Sequence, residues 1–365
     1  METNQGASFS PLSEISKGDP VIRLTVERKF SPEIIIAMGM GYGMIYTIIL
    51  PFLFGSIGQV LADWPELLRT LAVAPLVLGY YVWQPTTIQN LYDLAVHRAL
   101  NPTAREFEKI SRLTKPFSYR FWFWIAIFFG ILNAVIYYFS LLNGPVGWQN
   151  GSKLIVFLSA VTTFFSFYAV LHIIVRQIIT IRGINKFFHI LKIDISPLHP
   201  DHAGGLRPLG QYVVTIGLGI GIIGLALGIS LLRSYMGLEQ LQSIFFVNLA
   251  AYILVSPVFF FIPLIEAHRL MQNSKENAMI DIAGQYESLY RSTLQKMKNS
   301  KPMDKDLAHL DALHKIYLIA DAAPVWPFNF GTFTKFSAAV ILPVVLPLVI
   351  QYVTNVIINL LGFLI

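Results

Sequence analysis

The chain has 365 residues, 55% hydrophobic and 13% charged, where an average soluble domain is about 45–50% apolar and about 25% charged. A mean hydropathy of +0.58 argues for a membrane protein and against a string of soluble domains. The absence of cysteine excludes disulfides, thiolate metal ligands, iron–sulfur centres and thiol nucleophiles. The net charge of +6, from 27 Lys+Arg and 21 Asp+Glu, acquires meaning only from where the bases sit relative to a bilayer.

Residues 1–33 are polar and acid-containing, without the apolar stretch ending in small residues that marks a cleaved leader. They are expected to stay on the mature protein as a cytoplasmic segment. A hydrocarbon core of about 30 Å takes roughly 20 apolar helical residues, because no backbone group there can be left unpaired. Seven segments qualify, at residues 34–58, 71–92, 121–143, 154–175, 212–232, 245–265 and 337–365. The expected fold class is therefore all-α, a polytopic membrane protein of about seven transmembrane helices. Pro343 and Pro347 are placed to kink the last of them.

Between these spans Lys and Arg alternate sharply. The N-terminal segment and the loops after spans two, four and six hold 4, 6, 5 and 9, whereas the other three loops hold only Arg69, Lys153 and Arg233. By the positive-inside rule the N-terminus and the long loops are cytoplasmic. The only acids outside are Asp63, Glu66 and Glu239, so the inner face carries 24 − 18 = +6 and the outer face 3 − 3 = 0.

Along the inner face, Thr103 and Glu106 form a T-x-x-E capping box that predicts a short helix over 104–114, with Arg105, Lys109 and Arg112 on one side and Arg98 nearby. Such a basic stripe suits anionic lipid headgroups or an anionic cytoplasmic ligand such as a nucleotide, and equally serves topology alone. Span four continues at helical spacing through Ile178, Ile181, Ile184 and Phe188. Residues 266–336 read as a cytoplasmic helical hairpin, with one helix extending span six to about Asn299 and a second starting near Asp304.

The spans as drawn contain no Asp, Glu, Lys or Arg, which argues against a proton-driven pump. His172 is the one imidazole near the bilayer and reads as a packed or interfacial side chain. Gly217, Gly221, Gly224 and Gly228 form a small-residue face for close helix packing, within the chain or between subunits. Gly41-Tyr42-Gly43 matches a potassium-filter triplet, but it lies within a continuous apolar span, where no row of carbonyls can face an ion. Gln351, Asn355 and Asn359 fall four apart, on one face of the last span, as a water-facing stripe would.

The loop 197–210 gathers His199, Asp201 and His202, candidate ligands for a divalent metal that still lack a third or fourth partner such as His189 or Glu266. The alternative is a Pro/Gly-shaped turn capped by Asp201. His309, Asp311 and His314 form a looser cluster. No phosphate loop, dinucleotide fingerprint, nucleophile elbow, zincin motif or DNA-binding motif occurs. The pattern H-P-D-x-x-G-G-L-x-P-L-G at 199–210, followed by Pro-Val-Trp-Pro-Phe at 324–328, resembles a group of uncharacterised bacterial multi-pass membrane proteins. That resemblance implies a bacterial inner membrane and brings no activity.

The leading expectation is a homo-oligomeric ion-conducting pore, free of cofactor and gated from its basic cytoplasmic face by an intracellular signal. Its pore would be lined by Gln351, Asn355 and Asn359. Two other readings stand beside it: an anchor that docks a soluble partner through the hairpin, and a metal-dependent membrane enzyme centred on His199, Asp201 and His202.

Overall fold

A computed structural model of the protein describes residues 10–99, 104–143, 148–190, 206–238, 243–299, 302, 304–328 and 330–362, and every regular element among them is helical. The chain begins with two short helices, α1 (Pro11–Gly18) and α2 (Pro20–Glu27). Each starts on a proline whose missing N–H costs nothing in a first turn, and each is capped by the preceding side chain, Ser10 or Asp19. α3 (Pro32–Met44) runs through a π-helical turn into α4 (Leu50–Leu53). The first apolar helix thus stops at Leu53, ahead of the expected 58, because the chain turns at Gly55 with φ +71°.

Short helices α5 (Ile57–Ala62) and α6 (Trp64–Leu68) lead into α7 (Ala74–Ala99). α8 covers Ala104–Thr114, the helix that the capping box predicts. α9 (Arg120–Asn143) and α10 (Lys153–Ile190) follow, then α11 (Arg207–Tyr235) and α12 (Ser243–Lys298), and last α13 (Asp304–Asp321) and α14 (Phe330–Gly362).

Among the described residues five helical stretches are long and apolar enough to cross a membrane: Pro32–Leu53, Ser111–Asn143, Lys153–Phe188, Arg207–Tyr235 and Phe245–Lys298. Their outward surfaces suit lipid. On α9, Phe121, Trp124, Phe128, Ile131, Val135, Phe139 and Leu142 recur at helical spacing and all lie exposed, an apolar stripe far longer than a protein in water leaves open. The opposite side of α9 buries Ala126 and Gly130, the latter against the ring of Phe164 on α10. This is a multi-pass helical membrane protein.

α11 makes its most extensive packing with α14. A Cβ placed on Gly221 would come 2.5 Å from the Ala339 carbonyl oxygen, one on Gly217 would come 2.8 Å from Phe336, and one on Gly224 would meet the Tyr252 hydroxyl at 2.2 Å. The glycine face is therefore occupied from within the chain, by α14 and α12. Gly43 of α3 sits against Thr70 and Leu71 while Gly41 meets nothing within 4 Å, and the Gly-Tyr-Gly triplet lies wholly within helix.

Beyond the bundle α12 and α13 form an antiparallel arm, tied by Lys296–Asp306 at 2.6 Å near the tip and Lys275–Asp321 at 3.4 Å near the base. At about 1.5 Å per residue the 56 residues of α12 extend roughly 84 Å.

Candidate functional site

The buried acidic and basic side chains among the described residues belong to two ion-pair clusters. At one end Asp63 and Glu66, in the turn between α5 and α6 and in α6, meet Arg233 at the C-terminal end of α11. The Arg233 guanidinium donates to both Asp63 oxygens, at 3.0 and 2.9 Å, and lies 3.3 Å from Glu66 Oε2. Arg69 donates to Glu66 at 2.7 Å, Gln149 donates to the same oxygen at 3.2 Å, and the Trp148 indole donates to Asp63 at 3.2 Å. Two cations and two anions close on each other, which is how buried charge is tolerated. Four of the six charges that the sequence assigns to the outer loops are gathered here.

At the other end Asp19, between α1 and α2, enters the bundle and is 3% exposed. One carboxylate oxygen accepts from the backbone of Val21 and from Tyr168, at 3.0 Å each, and the other accepts from Tyr81 at 2.6 Å and from Arg176. Arg176 also donates to the Tyr81 carbonyl at 3.0 Å and stacks over the Tyr81 ring. Burial alone would push the Asp19 carboxyl up. Arg176, His172 and the two tyrosine hydroxyls outweigh it and hold the group below the usual carboxylate range.

His172 is packed as expected, 4% exposed and stacked on Tyr168. Its Nδ1 lies 3.1 Å from the Tyr168 carbonyl, and its Nε2 faces Asp19 at 3.5 Å. Ile15, Phe117, Trp122, His172 and Val175 border a small recess beside the pair.

The structure adds two placements to the sequence reading. The N-terminal segment is a structural part of the bundle, held by Asp19 and by Ser10 and Leu12 donating to Gln89 at 3.0 and 3.1 Å. α10 continues past 175, as the helical spacing through Phe188 predicts, and the buried Arg176 belongs to this apolar helix, one residue beyond the charge-free span as drawn. The i, i+4 pairing of His172 with Arg176 was visible in the sequence, but their partner lies 157 residues from Arg176. Beside the Asp19 cluster Gln84 donates to the Ile173 carbonyl at 3.0 Å and Tyr212 donates to Gln177 at 3.1 Å, a buried polar bridge joining α7, α10 and α11.

The remaining expected residues are dispersed. Lys109 and Arg112 are exposed on α8, Arg112 pairing with Glu108 at 2.6 Å, while the side chains of Arg98 and Arg105 lie outside the described residues. So do His199, Asp201 and His202 and the side chains of His189, Gln351, Asn355 and Asn359. Glu266 pairs with Arg269 at 2.9 Å and Asp311 with Lys315 at 2.7 Å. Among the described residues no group of three or more His, Asp or Glu is placed to hold a metal ion. Comparison with protein-family models, curated proteins and solved structures finds no match to this chain.

Proposed function

We propose that the protein is a homo-oligomeric ion-conducting pore with seven spans, its N-terminus and arm in the cytoplasm of a bacterial cell, gated from that basic side. The observation that carries this reading is the course of α12. One unbroken helix of 56 residues is both a candidate span and half of the arm, so a tilt or rotation imposed on the arm reaches the membrane with no intervening loop. From the sequence the reading takes the four-residue spacing of Gln351, Asn355 and Asn359, that of a water-facing stripe, and the basic residues Arg98, Arg105, Lys109 and Arg112, whose charge would draw in an anionic signal. An anchor for a soluble partner is the second reading, favoured by exposed apolar residues on the arm such as Ile280, Tyr290 and Ile319.

Reconstitution in liposomes with single-channel recording separates the two. The pore gives discrete currents, altered by Asn355→Leu and modulated by cytoplasmic extract on the basic face. Folded, inserted protein that stays silent under all conditions overturns the pore and leaves the anchor.

A further inference from the structure

Beside the ion pair of Asp19 and Arg176 the bundle leaves two polar atoms unused. Nε2 of His172, on α10, and Nε1 of Trp122, on α9, are both buried, and neither has a hydrogen-bond partner among the described residues. The His172 side chain is only 5% exposed. Both residues border the same small recess, whose volume of about 20 Å³ is room for one water-sized group. Buried polar atoms in folded proteins are paired in the large majority of cases. Two orphans on the wall of one recess therefore mark the place of a ligand.

The rest of the wall decides its chemistry. Asp19 and Arg176 line the recess and neutralise each other, so no net charge is left to hold an ion. The Trp122 indole is a donor only. It offers nothing to an ammonium group, which has no lone pair to accept with, while Asp19 repels an anion. Ile15, Phe117 and Ile179 add apolar surface. A hydroxyl meets each of these demands. Its oxygen accepts from Trp122, and because a hydroxyl both donates and accepts it serves His172 Nε2 in either ring tautomer. Tyr119 is the exposed member of the lining. It stands two residues before Phe121, where the lipid-facing stripe of α9 begins, so the way into the recess lies at the edge of the bilayer.

We propose that this recess binds a single hydroxyl between Trp122 and His172, supplied by water or by the glycerol headgroup of a phospholipid. The occupant links α9 to α10 and completes the polar contacts beside Asp19, whether or not the protein conducts ions.

Full-length protein carrying ¹⁵N in its six tryptophan indoles gives one N–H signal per side chain by nuclear magnetic resonance in liposomes, and Trp122→Phe assigns the one at the recess. Trp148, whose indole donates to Asp63, marks the position of a bonded N–H. The Trp122 signal is expected near that position and receives magnetisation from the hydroxyl it binds. Transfer from water in both phosphatidylglycerol and phosphatidylcholine liposomes identifies water. Transfer from glycerol protons in phosphatidylglycerol, lost in phosphatidylcholine, whose headgroup has no hydroxyl, identifies the lipid. His172→Phe removes the second partner and lowers the transfer several-fold, and His172→Gln, which keeps a donor and an acceptor, restores it. An unbonded Trp122 signal, or no transfer to it in either lipid, overturns the site. So does undiminished transfer in His172→Phe with the other five tryptophan signals in place.

Discussion

A single carboxylate decides whether the first helices belong to the bundle. Asp19 caps α2 and neutralises Arg176, while Tyr81 and Tyr168 saturate its oxygens. Asp19→Asn keeps the shape and removes the charge, which leaves a guanidinium 4% exposed without a counter-ion. Breaking a buried pair from one side costs about 3–5 kcal/mol. We expect the thermal midpoint in detergent to fall and trypsin to cut at Arg23 and Arg28, with Asp19→Asn/Arg176→Met recovering part of the loss. A wild-type midpoint and intact N-terminus in Asp19→Asn would show that the pair does not hold the segment. The same contact sets a pH dependence. The folded carboxyl is held below its ordinary value, so its contribution is complete above about pH 4, the unfolded value, and is lost as pH falls through the lower folded one. Resistance of the N-terminal helices to proteolysis should therefore be flat across neutral pH and fall only in acid. None of this was legible in the sequence, where Asp19 is one acid in a polar segment. Only the backbone path brings it to a helix more than 150 residues away.

Among the elements, the glycine face of α11 was legible because close helix packing needs small residues at helical spacing, whatever the partner. Which helix fills it was not, since spacing describes one surface and says nothing of its complement. The contacts now rank the positions. A methyl at Gly221 drives into the Ala339 carbonyl, which is backbone on a packed helix and cannot retreat, whereas one at Gly217 meets the ring of Phe336, which can rotate. Overpacking of this kind typically costs about 1–3 kcal/mol. Gly221→Ala should fall in the upper part of that range and Gly217→Ala in the lower, read as the order of thermal midpoints in detergent. Equal midpoints would mean that α14 slides on α11 to relieve both. The long helices were legible from apolar run length, and five of the seven expected spans coincide with described helices long and apolar enough to cross a membrane. α10 continues past Val175 as its helical spacing predicts, and Arg176 and Gln177 are buried there with partners. α4 stops early because a positive φ at Gly55 turns the chain.

For the whole molecule, the question is how the arm and the bundle act on each other. The hairpin and its continuity with span six were both legible from helical periodicity that runs to Asn299–Pro302, and α12 follows that periodicity to Lys298. Two prolines, Pro257 and Pro263, interrupt the hydrogen-bond ladder of α12 on the bundle side of the arm. Each removes an N–H donor and crowds the carbonyl four residues earlier, so the helix bends more easily there than elsewhere. Between and beside them Phe260 and Leu264 are fully buried, Phe260 lying 4.1 Å from Phe336 of α14 between ring centroids. A bend at these prolines therefore displaces the helix that carries the Gln351, Asn355 and Asn359 row. If the arm gates a pore, stiffening this point changes how often the pore opens and leaves what it conducts unaltered. Pro257→Ala/Pro263→Ala should keep the single-channel conductance and change the open probability several-fold, a shift of about 1 kcal/mol in the closed–open balance. A changed conductance with unchanged open probability would place these residues in the conducting path and end their role as a lever.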